Sequence, residues 1–472
     1  MIQEKDLKKY FLIISFIMGI ILLNIIPPLA VPDEGVHFLN SYTYSKRQMI
    51  PTVVDGRIGK FVPKHIHDYF MLNNSRFNSN IESKFTYKDV IEQLNAKNND
   101  IGQKFVSWWQ IENTNPLGYL FSSLGMLVSR RLYGFANLSP NSYESILFGR
   151  IFNYLYFIFT VYWAIKITPR FKSVLFFLAF MPMTLFLSCS LSYDSPLIAT
   201  IFLYFAYLMN FICREHENQI ITIKDVLVFA FCLVVLSGIK QVYLAYALLL
   251  LCIHINKYGN FKGFLCKSIP VVIVVLLVSI GNKAIINYFT KEFEPNSLYM
   301  TINSQVQFLC AHPEKWISII INSFKINLNF YIKSCMGILG QLDTYFLPIF
   351  YFIFYFMLLT VIMLDCNTFN HKKIETRYKA VSLVSTSLCL MGIFLGTYVI
   401  WTSHRIGIGA DYVEGVQGRY FIPIIPFMII LIDYKSKYID ENLNKYSPSI
   451  AVYTSIAMCI VTTWSILIRF WL

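Results

Sequence analysis

A chain of 472 residues that is 56% apolar, 17% aromatic and only 14% charged is not a soluble globular protein when its apolar residues fall into long uninterrupted runs. Many of these runs reach about 20 residues, the length that crosses a hydrocarbon core, so the chain reads as an all-α polytopic membrane protein. The net charge of +13 does not point to nucleic acid, because most Lys and Arg stand in short segments between apolar runs, where cytoplasmic loops gather positive charge.

In chain order, the runs predict about eleven membrane helices near residues 10–31, 145–165, 173–190, 195–213, 223–239, 241–255, 266–288, 345–364, 380–401, 417–433 and 449–470. The first follows the basic segment MIQEKDLKKY. A signal-peptide cleavage after Ala30 would put Pro28 where a small residue is wanted, so this run reads as an uncleaved helix. With the N-terminus inside, the inner loops carry Lys5, Lys8 and Lys9; then Lys166, Arg170 and Lys172; then Lys257, Lys262 and Lys267; then Lys372, Lys373, Arg377 and Lys379; then Lys435, Lys437 and Lys445. This order satisfies the positive-inside rule loop after loop. The segment PLGYLFSSLGMLVSRRLYG, residues 116–134, is short, interrupted by Gly and ends in Arg130-Arg131. Counting it as a span would invert every later loop, so it is predicted to lie in the outer interface. Residues 32–144 then form a large first outer loop and 290–344 a second, within one membrane domain covering 1–472. Every cysteine except Cys310 and Cys335 falls within or at the end of an apolar run and reads as a small core hydrophobe. A disulfide between those two stays open.

The stretch VPDEGVHF sets Asp33, Glu34 and His37 directly after the first apolar run. Pro32 suits the first turn of a helix, and carboxylates there are favoured by the exposed N–H groups, so a helix cap is one reading. The other is chemical: acids at a membrane boundary are costly to desolvate, and on a helix Asp33 and His37 share a face. A carboxylate held ionised beside an imidazole is a candidate general base, or with Glu34 a site for a divalent metal. Further along, Asp194 in SLSYDSPL begins a helix after a Ser-rich turn, and Lys240 and Tyr243 stand in GIKQVY at an outer helix end. Arg150 lies inside LFGRIFNYLYF, where a buried Arg needs an anion. The loop WTSHRIGIGADYVEGVQGRYFIP adds His404, Arg405, Asp411, Glu414 and Arg419. Together these describe an outward-facing polar pocket holding acids and cations, which suits a substrate bearing phosphate.

The segments PDEGVHF, NPLGYLFSSLG followed by GRIFNYL, MPMTLFLSCSLSYDSP, GIKQVY, AHPEKW with GILGQLDTYFLP, and GVQGRYFIPIIPF occur in the order seen in the bacterial membrane proteins of domain-of-unknown-function family 2142. The chain resembles that family over nearly its whole length, and the family is similar to a branch of the GT-C glycosyltransferases. The resemblance implies a GT-C-like helix bundle in the bacterial cytoplasmic membrane, with an active site facing outward between the first outer loop and the bundle. It implies Asp33 as catalytic base with Glu34 beside it, and Arg150 as the residue that holds the donor phosphate. His37, Asp194, Lys240, Tyr243, His404, Arg405 and Arg419 are expected around the substrate. The expected activity is inverting transfer of a hexose or pentose from a polyprenyl-phosphate donor to a cell-surface glycan or a lipid-linked acceptor. No Walker or Rossmann glycine pattern is present, which fits a donor that is not a nucleotide sugar. Two alternatives stand beside it. A polysaccharide polymerase or ligase of the same fold tends to carry its large loop in the second half of the chain, and a lipid-linked glycan transporter or flippase shows inverted repeats and helices broken at the midplane. Neither sign is evident here.

Overall fold

A computed structural model describes residues 2–78, 80–96, 102–107, 115–213, 220–290, 297–366, 374–433 and 441–472. Lys372, Lys373, Lys435 and Lys437 of the predicted inner loops lie outside these residues.

Among the described residues, seven helices are long and apolar enough to cross a membrane: Glu4–Ile25, Ser142–Ile167, Asp194–Cys213, Phe261–Phe289, Pro348–Cys366, Thr376–Arg405 and Leu443–Phe470. Asp194–Cys213 is the most enclosed of them and Phe261–Phe289 the least. The latter turns Leu277, Ile280 and Ile285 outward, an arrangement that lipid tolerates and water does not. The other predicted helices are shorter or broken. Residues 173–190 form Lys172–Ala179 and Pro182–Ser188 with a break between them, because Pro182 biases Met181 to an extended backbone. Ile223–Ile239 is a single helix of 17 residues. Gln241–Tyr246 and Gly418–Ile424 are tight 3-10 turns, each running into a short α-helix, Ala247–Leu251 and Ile425–Leu431.

Polar groups collect at the two ends of this bundle. At one end Arg170 pairs with Asp433 and donates to the Cys366 carbonyl at 2.8 Å, the Ile374 amide donates to Asp433 at 3.0 Å, and Lys172 stands 3.8 Å from Glu4. The other end carries the 32–144 segment. It opens with the helix Glu34–Ser45 and holds a three-stranded antiparallel sheet of β1 (Thr52–Val54), β2 (Arg57–Pro63) and β3 (Gln103–Val106) in that spatial order. The sheet is an addition to the all-α expectation. Its signal was in the sequence: Asp55-Gly56 takes positive φ at both residues and joins β1 to β2 with Val54 opposite Arg57, the turn that Asp-Gly favours in a hairpin. Phe38, Leu39, Val62, Ile66, Phe70, Val106 and Met126 form a small core here, closed by Ile146 and Leu191 of the bundle.

The 116–134 segment is a 3-10 turn, Pro116–Tyr119, followed by the helix Leu120–Phe135. That helix lies tightly on Ser142–Ile167, since a Cβ on Gly125 would fall 2.3 Å from the Phe148 carbonyl oxygen. Residues 297–345 add the helices Ser297–Ala311 and Lys315–Met336 and a minimal hairpin of Ile338–Leu339 with Thr344–Tyr345. All ten cysteines are free, with Cys335 buried and Cys310 exposed, so the disulfide left open above does not form.

Candidate active site

The first helix stops at Ile25 because Pro27 and Pro28 follow, and its last carbonyl accepts from Trp471 Nε1 at 2.7 Å. Arg150 takes the two carbonyls just beyond it. Its Nη1 donates to the Ile26 carbonyl at 2.7 Å and its Nη2 to that of Pro27 at 2.8 Å, while Nε and Nη2 grip the Glu34 carboxylate at 2.8 and 2.6 Å. Glu34 Oε1 also accepts from the Leu191 amide at 3.0 Å. Both side chains are enclosed. One buried pair therefore fastens three segments together: the end of the first helix, the start of Glu34–Ser45, and the Ser-rich turn ahead of Asp194.

Asp33 behaves differently from its neighbour. Its φ of 63° lies in the left-handed region, which Asp tolerates better than most residues. Its carboxylate makes no hydrogen bond to the helix that starts at Glu34, so the capping reading fails. The side chain is instead 48% exposed and meets Arg419 Nη2 at 2.5 Å. Protein crowds the carboxyl enough that desolvation works to raise its pKa, but the charge and hydrogen bond of Arg419 more than reverse this and hold it below the usual carboxylate value. Arg419 Nε lies 3.5 Å from Asp194 Oδ2, and Asp194 Oδ1 accepts from Lys240 Nζ at 2.9 Å. The result is a row of alternating charges, Asp33, Arg419, Asp194 and Lys240.

Each member of the row is fixed by its own element. Asn153 donates to the carbonyls of Ser190 and Ser192 at 2.8 and 3.1 Å, and Ser192 Oγ accepts from the Asp194 amide at 3.1 Å, which sets the turn. Lys240 Nζ stands 4.0 Å above the Tyr420 ring and 5.2 Å from that of Tyr193, a cation–π arrangement. Tyr243 donates to the Tyr420 carbonyl at 2.7 Å and so steadies the segment that carries Arg419. Gly418 lets that segment touch the Lys315–Met336 helix: a Cβ there would fall 2.1 Å from the Tyr331 carbonyl oxygen, and the Gly418 amide donates to Ser334 Oγ at 2.8 Å. Arg419 is buried, yet among the described residues its Nη1 and Nε have no hydrogen-bond partner, the contact of Nε with Asp194 being a longer ion pair. A buried guanidinium with N–H groups left over, beside a half-exposed carboxylate, has the donors that an oxygen-rich anion accepts from.

His37 lies one turn beyond Asp33, with Nδ1 at 2.8 Å from the Tyr119 hydroxyl and its ring 4.7 Å from that of Tyr193. Burial lowers its pKa to about 4 against the opposing pull of Asp33 and Asp194, so the imidazole is neutral near pH 7.

The structure thus gathers Asp33, His37, Asp194, Lys240, Tyr243 and Arg419 and corrects four expectations. Glu34 is not available as a second catalytic acid, because Arg150 and the Leu191 amide occupy its carboxylate. Arg150 does not face an open pocket, because its donors are spent on Glu34 and two carbonyls. His404 and Arg405 are exposed, with Arg405 resting 5.7 Å over the Trp401 ring, and neither joins the charge row. Asp33, Glu34 and His37 do not converge as a metal site, since the two carboxylates turn to different arginines, and among the described residues no group of three or more His, Cys, Asp or Glu is arranged to hold a metal. Sequence reasoning missed Tyr119 and Gln341. Gln341 donates to the carbonyls of Leu29 and Val31 at 3.0 and 3.2 Å, pinning the segment that leads to Asp33; its segment GILGQLD was visible, but its partner was not.

A family model described as a predicted membrane protein, DUF2142, matches residues 16–428. No curated protein and no solved structure matches the chain.

Proposed function

The chain belongs to the DUF2142 family of predicted membrane proteins, and from that premise we propose that it is a GT-C-like glycosyltransferase of the bacterial cytoplasmic membrane. It takes a sugar from a polyprenyl-phosphate carrier and gives it to a hydroxyl of a cell-surface glycan or lipid-linked acceptor. The shorter helices complete a set of eleven crossings, with the Asp33 end outside and the Arg170–Asp433 end inside. The observation that carries the reading is the half-exposed Asp33 carboxylate set on a buried Arg419 that keeps donors unspent.

The chemistry follows from the charges. The acceptor oxygen attacks the anomeric carbon, its proton passes to Asp33, and the bond from that carbon to the phosphate oxygen breaks, leaving the carrier phosphate with one more negative charge. Arg419 and Lys240 are the cations that take up this growing charge, an electrostatic stabilisation that costs no reorganisation because Asp194 already holds both. Engagement of Arg419 by phosphate also loosens its hold on Asp33, which raises the basicity of that carboxylate when the donor is bound. The pair Glu34–Arg150 serves this site by position alone.

The test is mass spectrometry of surface glycans and polyprenyl-linked sugars in cells carrying wild type, no protein, or Asp33→Asn. Loss of one glycan sugar with accumulation of its lipid donor, in both the deletion and Asp33→Asn, is the expected result. Unchanged glycans and lipid-linked sugars in the deletion would overturn the proposal.

A further inference from the structure

A separate cavity of about 330 Å³ opens in the sheet of the 32–144 segment, lined by Arg47, Gln48, Met49, Ile50, Thr52, Lys60 and Phe61. This is the small end of the range for ligand pockets. Lys60 is the unusual member. It sits in β2, is only 2% exposed, and among the described residues no carboxylate pairs with it. Its Nζ has a long contact of 3.4 Å to Thr43 Oγ1 and lies 3.7 Å over the Tyr44 ring. An ammonium buried in this way costs several kcal/mol unless something repays it. Desolvation alone pulls its pKa down to about 7, which is the mark of a cation without a counter-charge. Arg47, exposed at the rim, adds a second positive charge, Thr52 and Gln48 add hydrogen-bonding side chains, and Phe61 with Met49 and Ile50 adds an apolar wall.

The cavity is also joined to the charge row. The Tyr44 ring beneath Lys60 packs at 5.7 Å on that of Tyr119, whose hydroxyl meets His37. Resting on the transferase reading, we propose that this cavity binds the acceptor through an anionic group, a carboxylate or phosphate on a sugar, with Lys60 as its counter-charge and Phe61 against the sugar face. The acceptor of the reaction is then an acidic saccharide and not a neutral one.

The experiment is calorimetric titration of the full-length protein in phosphatidylcholine nanodiscs with digalacturonate and with its neutral analogue galactobiose. Digalacturonate is expected to bind at least about tenfold tighter, since one charged hydrogen bond contributes that much. Lys60→Met should remove the difference, and Lys60→Arg should retain most of it. The wild-type comparison needs no variant, so a poorly folding Lys60→Met does not blunt the test. Equal binding of the two disaccharides, or binding of neither, overturns the proposal. So does a preference that disappears when phosphatidylglycerol is added to the nanodisc, which would mark the cavity as a lipid-headgroup site. If acidic binding is present but the deletion strain keeps all its glycans and lipid-linked sugars, the cavity survives and the transferase reading falls.

Discussion

Replacing Asp33 by Asn keeps the size of the side chain and its tolerance of the left-handed backbone, while removing the basic oxygen and the charge held on Arg419. Sugar transfer should therefore fall by about 10² or more with little change in expression or melting temperature, as for loss of a general base. Glu34→Gln should do the opposite. It strips the charge from a buried pair and leaves Arg150 uncompensated, so destabilisation on the order of 3–5 kcal/mol is expected, read as lost expression or a lowered melting temperature before any kinetic effect. If Glu34→Gln were stable and inactive while Asp33→Asn worked normally, the two roles would be exchanged. His37 adds a pH signature. Its folded pKa of about 4 lies below the value of 6.5 for a free imidazole, so the unfolded chain binds the proton more readily. The stability from a neutral His37 is complete above pH 6.5 and is lost as pH falls toward 4, on the order of 3 kcal/mol in all. Melting temperatures at pH 7 and 4.5 should drop less in His37→Gln than in wild type. An equal drop in both would show that His37 is not the group responsible.

At the scale of elements, the site depends on close approach between segments that are far apart in the chain. Gly418→Ala would drive a methyl into the backbone of Tyr331 and Cys335. The neighbour is main chain and cannot swing away, so the 3-10 turn must shift and take Arg419 with it. A loss of about 1–3 kcal/mol in stability is expected, together with reduced activity in protein that still folds. Unchanged transfer by Gly418→Ala would mean that Arg419 does not need the Lys315–Met336 helix behind it. Gly125 makes the equivalent contact between Leu120–Phe135 and Ser142–Ile167, but it lies away from the charge row, so its substitution should cost stability without singling out transfer.

For the whole molecule, the charge bias of the loops is what the proposed orientation rests on. A reporter fused after Asn95 should read as outside and one after Lys262 as inside. Asn95 ends the helix Tyr87–Asn95 on the same segment as Asp33, whereas Lys267, five residues after Lys262, donates at 2.6 Å to the Ile221 carbonyl at the opposite helix ends. An inside reading at Asn95 would put the base on the wrong side for a glycan acceptor, and the proposed reaction would fail with it.

By itself the sequence determined that the chain is helical and membrane-embedded, and it drew attention to Asp33, Asp194, Lys240 and Arg419. Apolar runs and charge bias are local properties, and ionisable residues beside apolar runs stand out by their cost of desolvation. Which charge meets which was decided only by tertiary structure. Asp33 and Glu34 are neighbours with the same chemistry, yet one faces Arg419 across 386 positions and the other Arg150 across 116. No spacing rule distinguishes them. The left-handed turn at Asp33, pinned upstream by Gln341, points the two carboxylates apart, and burial then makes one an anchor and leaves the other half-exposed. The loop residues His404 and Arg405 looked equivalent to Arg419 in sequence, but only Arg419 follows a glycine close enough to a neighbouring helix to be carried into the interior.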